Sequence, residues 1–156
     1  MGMANNLSNL PKILVTAGSI ITACYAATVS AHGGGATLDP AGNKAAFTAL
    51  ARVTCFDDGN GPAAHIVAKI RDNSAPIPGM FVSLQLLKGS KAISVTDTTP
   101  GDAQFSEQVS LQGGSGVYFM MADKTIAGAR DFEVEWHCMT ANQVHTGTDI
   151  VVDQFE

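Results

Sequence analysis

The chain has 156 residues with 9 basic and 14 acidic side chains, a formal net charge of −5 with histidine neutral. This acidic balance excludes the basic surface that holds phosphate backbones, so no nucleic acid is expected as a partner, and a charge-driven membrane-surface role is disfavoured on the same ground. The length suits one domain with a real core, small enough for a covalent cross-link to matter.

Residues 1–31 read as an export signal. Lys12 is the only charge before the apolar run from Ile13 to Val29, which closes on Val29-Ser30-Ala31, the small-x-small pattern cut by signal peptidase. Thr16, Ser19, Thr22, Cys24, Tyr25 and Thr28 interrupt the run, which falls short of the roughly 20 apolar residues of a spanning helix, so no stable membrane span is expected. Cutting after Ala31 makes His32 the first residue of the mature chain. A rival processing site, Ile21-Thr22-Ala23-Cys24, resembles the lipobox of bacterial lipoproteins, in which the cysteine is lipidated. Ile is less usual than Leu at its first position, which favours the cut before His32. Either route puts the protein in the periplasm, at the cell surface or outside the cell.

Cys24 leaves with the leader or carries lipid, and Cys55 and Cys138 remain as an even pair in an exported chain, which predicts one disulfide. The chain-entropy model gives about 4–5 kcal/mol for closing so long a loop. The competing reading, a thiolate metal site, finds no close cysteine spacing to support it.

In chain order, residues 32–46 open on His32-Gly33-Gly34-Gly35 and are polar and Gly-rich, so a flexible arm is expected. Ala45, Ala46, Ala49 and Leu50 are helix formers and offer a helical turn over Asn43 to Ala51 as the alternative there. Residues 47–156 read as the β domain. Strands are expected at Phe47–Phe56, Ala64–Arg71, Met80–Leu87, Ala92–Thr96, Gln104–Leu111, Gly116–Ala122, Asp131–Met139 and Gln143–Val152, separated by clusters of Gly, Pro, Asn and Asp. The clearest is Phe132-Glu133-Val134-Glu135-Trp136-His137-Cys138. Alternation buries Phe132, Val134, Trp136 and Cys138 and turns Glu133, Glu135 and His137 outward. Cys55 alternates likewise with Val53 and Ala51, so the two cysteines should point into one core, with Trp136 beside their disulfide. The fold expected is an all-β antiparallel sandwich, jelly-roll or immunoglobulin-like, of about 7–8 strands with one disulfide.

Gly113 to Met121, with Gly116-Val117-Tyr118-Phe119 inside it, followed by Gly128-Ala129-Arg130-Asp131-Phe132-Glu133-Val134-Glu135, resembles the last hairpin of bacterial pre-peptidase C-terminal domains. Phe119 stands where that pattern has a second Tyr, and the disulfide and final strand are additions to it. The resemblance implies a jelly-roll-like exported sandwich used for binding or as an appendage. It carries over no catalytic residue.

No motif here supports catalysis. Gly-x-Ser-x-Gly, His-Glu-x-x-His, a Gly-rich phosphate loop and Cys-x-x-Cys-His are all missing, so no enzyme is expected. Four histidines occur, His32, His65, His137 and His145. An N-terminal histidine chelates copper through its amine and imidazole together, as in the histidine-brace copper proteins; a second imidazole, from His137 or His145, would complete the site at His32. Isolated surface imidazoles are the plainer reading. Asp57-Asp58-Gly59-Asn60-Gly61 offers oxygen ligands to calcium, but lacks the downstream Glu of a helix-loop-helix site and reads better as a solvated turn. Met80, Met120, Met121 and Met139 could be soft copper(I) ligands, although adjacent Met120 and Met121 must face opposite ways and core filling suits the inward one.

The function expected is that of an exported, non-enzymatic binding or structural module. Its partner would be a second copy or a surface protein, engaged when the arm adds a strand to a neighbour's edge beside apolar segments such as Phe81 to Leu87. The alternative is a copper-binding carrier that uses His32.

Overall fold

The computed structural model describes residues 32–156, and the leader, with both of its processing readings, lies outside the described residues. Within them the alternating segments form nine strands: β1 (His32–Leu38), β2 (Ala49–Phe56), β3 (His65–Asp72), β4 (Val82–Lys88), β5 (Lys91–Asp97), β6 (Val109–Gln112), β7 (Gly116–Lys124), β8 (Arg130–Met139) and β9 (His145–Phe155). None of the described residues is helical, and so no described helix is long and apolar enough to cross a membrane.

Every pairing is antiparallel, and one hydrogen-bonded path runs β5-β4-β7-β2-β9-β8-β3-β6, with β1 added on β8. The path folds over on itself into two layers, β5-β4-β7-β2-β9 against β1-β8-β3-β6. Between them lies one apolar core in which Val53, Ile66, Ile70, Leu84, Leu86 and Tyr118 are wholly buried. Burying both inner faces is what the period-two pattern of these strands requires. The expected all-β sandwich is the fold.

The disulfide is Cys55–Cys138, with a Cα–Cα distance of 5.5 Å. It joins β2 in one layer to β8 in the other, near the end of each strand beside the β9 crossing, and both cysteines belong to the core. Trp136, on the same face of β8 as Cys138, belongs to that core as well.

Strand β9 belongs to both layers. Its first residues pair with β8, Met139 opposite His145 and Cys138 opposite Thr146, and from Gly147 onward it pairs with β2. At the crossing, Gly147 lies so close to the ring of Phe56 that a Cβ would overlap it.

The arm expected over residues 32–46 is a correction. Its first seven residues form β1, running from His32 opposite Trp136 to Leu38 opposite Arg130. Missing side chains make the pairing close, since a Cβ on Gly35 would stand 2.5 Å from the carbonyl oxygen of Phe132. Wholly buried Leu38 anchors the far end. The following loop is held rather than loose. The buried Asp39 carboxylate accepts from the backbone N–H of Asn43, Lys44 and Gly128 and pairs with buried Lys124 at 3.0 Å. Asn43 to Thr48 forms no helical turn. In the segment read as Gln104–Leu111 only Val109–Gln112 is a strand; the other expected strands are present with ends shifted by a residue or a few.

Candidate metal centre

β8 carries the first candidate ligand. Its alternation, with Trp136 and Cys138 inward, turns His137 to the other face. One edge of β8 carries β3, and the other is shared by β1, over residues 130–136, and β9, over residues 138–139. The first residues of β1 and β9 therefore meet beside His137. These two residues are His32 and His145.

The start of β9 is itself fixed. Thr140 and Val144 close the turn out of β8, with Thr140 N–H donating to Val144 O and Val144 N–H to Thr140 Oγ1. Thr146, wholly buried, shares its one hydroxyl proton between the Gly61 and Phe56 carbonyls, whose oxygens lie 2.7 and 3.0 Å from its Oγ1. His145 is held between them.

The three imidazoles offer nitrogens that all lie within 4.8 Å of one another, and each residue is half-buried. His145 Nε2 and His32 Nδ1 are 3.2 Å apart, with their rings stacked at an interplanar angle of 10°. His137 stands edge-on to both, with ring centroids 6.2 Å from His32 and 5.2 Å from His145. Its Nδ1 is buried and has no hydrogen-bond partner among the described residues. Burial, reinforced by the neighbouring imidazoles, lowers the pKa of His137 below the usual value; burial, then His32, does the same for His145 against the opposing pull of Asp58. Both shifts favour the neutral imidazole, the form that ligates metal.

Metal–nitrogen bonds of about 2.0–2.1 Å put two nitrogens on one ion no more than about 4.2 Å apart, so small side-chain rotations close this cluster around an ion. An all-imidazole donor set suits copper, zinc or nickel rather than calcium or magnesium. The nitrogen that His32 turns toward His145 is Nδ1, which can share a six-membered chelate ring with the backbone nitrogen of the same residue.

Of the residues singled out in the sequence, His32, His137 and His145 are brought together, and no other group of three potential ligands occurs among the described residues. His137 and His145, expected as alternatives, both take part. His65 is buried on β3 outside the cluster. Asp57 Oδ1 accepts the N–H groups of Gly59 and Gly61, and Asp58 Oδ1 that of Asn60, so these carboxylates shape the turn. Met120 fills the core. The sequence reading missed that the registers of β1, β8 and β9 would carry His32 to His145 as well as to His137, and with His32 placed in an arm and His145 inside a strand starting at Gln143 it held no signal of this. Comparison with protein-family models, curated proteins and solved structures finds no match for this chain.

Proposed function

We propose that this chain is an exported copper(II)-binding protein whose ligands are His32, His137 and His145, joined by the α-amine of His32 once the leader is cut after Ala31. The observation that carries this reading is the convergence of three half-buried imidazoles from three strands, with one buried ring nitrogen unpartnered. Copper is preferred over zinc because nitrogen donor sets follow the Irving–Williams order and an amine with imidazoles favours tetragonal geometry. The strand-addition reading would need residues 32–43 as the donor, whereas His32–Leu38 pairs with β8 of the same chain.

The test starts from the exported protein as purified. Mass spectrometry should place its first residue at His32, and one equivalent of copper(II) should give a tetragonal, nitrogen-dominated spin-resonance spectrum. Adding one residue before His32 should change that spectrum and weaken binding. Affinity should fall on acidification, since the ligands must shed protons to bind. A spectrum unchanged by the added residue would remove the amine from the site, and one unchanged in His137→Ala and His145→Ala would remove the cluster altogether.

A further inference from the structure

Met139 lies beside the three histidines. It follows His137 by two residues on β8, so it projects from the same face of that strand, and it stands directly opposite His145 on β9. Its carbonyl accepts the Ala64 N–H on the β3 side, while Thr140 N–H donates to Val144 O across the turn. Met139 and His145 are therefore a non-hydrogen-bonded pair, the closer of the two kinds in an antiparallel ladder. The Cβ atoms of such partners stand about 4.5–5.5 Å apart, within reach of a thioether on three rotatable bonds. The other methionines among the described residues are placed elsewhere. Met80 is buried with its methyl against Gly128, Met120 fills the core, and Met121 lies on β7 in the opposite layer. Met139 alone is half-buried at the histidines.

We infer that the site binds copper(I) as well as copper(II), with the Met139 thioether as the ligand that the reduced ion adds to the imidazoles. This deepens the copper reading above and rests on it. A thioether is a soft donor that selects copper(I), whereas the amine and imidazoles satisfy copper(II) in a tetragonal arrangement. The two states thus draw on the same histidines and differ in their use of sulfur. No shift of the backbone is needed, because Met139 and His145 are already register partners and rotation of the side chain brings the sulfur in. The protein thereby keeps its ion when copper(II) takes up one electron from an external one-electron donor.

The test loads the exported protein with copper(I) in the absence of air, in competition with bicinchoninate. Met139→Leu, which nearly preserves side-chain volume, should weaken copper(I) binding roughly tenfold and leave the copper(II) spin-resonance spectrum unchanged. A tenfold loss confined to the reduced ion lowers the midpoint potential by about 59 mV, read by voltammetry. In the unaltered protein the methyl resonance of Met139 should shift on addition of copper(I) while those of Met80, Met120 and Met121 stay in place, a readout independent of how any variant folds. A Met139 methyl that does not move, or a folded Met139→Leu protein with undiminished copper(I) affinity, would overturn the inference and leave copper(II) binding by the histidines standing. Both ions bound as tightly by His137→Ala and His145→Ala as by the unaltered protein would overturn the copper reading, and this inference with it.

Discussion

Asp39 illustrates how a single side chain holds a segment that looks loose. Its carboxylate is buried, and burial by itself would raise its pKa. The N–H groups of Gly128, Lys44 and Asn43 and the ammonium of Lys124 overcome this and pull it well below the usual 3.8. A carboxyl group whose folded pKa is depressed adds stability that is fully present above the unfolded value and is lost as pH falls below it. The thermal midpoint should therefore drop as pH is lowered from about 4 toward 2, and Asp39→Asn should flatten that slope. Lys124→Met, which strands a buried carboxylate, should rank among the most destabilising single substitutions when midpoints are compared at pH 7. At the proposed copper site, His137→Ala and His145→Ala should each weaken copper binding at least about tenfold, the loss of one ligand, without lowering the thermal midpoint of the metal-free protein. Calorimetric titration measures the first effect and melting the second. The three histidines were legible as residue types, and the strands bearing His137 and His145 were legible too. Neither reading could choose between the two, because the answer lies in which edge of β8 each neighbouring strand takes.

Among the elements, β8 was readable in full because every second residue from Phe132 to Cys138 is apolar. β1 was not. Gly33, Gly34 and Gly35 have no side chains to alternate, and a run of glycine carries the composition of a flexible linker whether or not a neighbouring strand lies within reach. The segment from Gln104 to Gln108 erred the other way: Ser106 donates its N–H to Ile70 O and accepts the Ile70 N–H on its hydroxyl rather than its carbonyl, so the ladder with β3 begins only at Val109. The closeness of β1 to β8 yields a prediction of its own. Gly35→Val places atoms against the Phe132 carbonyl, so β1 should lift, and copper affinity should fall although no ligand has changed. A spin-resonance titration alongside circular dichroism would separate this from general unfolding. The disulfide was predicted from cysteine count and alternation alone, and it spans the layers as that alternation implied. Replacing both Cys55 and Cys138 by Ser should cost about 2–5 kcal/mol, read from the denaturant midpoint of the exported protein.

For the whole molecule, the two layers are joined by the disulfide, the core, β9 where it crosses at Gly147, and buried polar contacts such as Asp39 with Lys124 and Asp72 with Asp97. An ion at the histidines would add a further tie, holding β1, β8 and β9 at one point. Copper at a hundred times its dissociation constant should then raise the unfolding free energy by about 2.7 kcal/mol, seen as a higher melting temperature that a chelator reverses.

β1 and β9 begin side by side at the histidines and then part, β1 along β8 and β9 across to β2. An ion held there would pin the two strands where they separate, and ordering and binding must then favour one another equally. Copper should therefore slow amide exchange from Gly33 to Leu38, in a strand with three glycines among its seven residues, by the same free energy by which an ordered β1 strengthens copper binding.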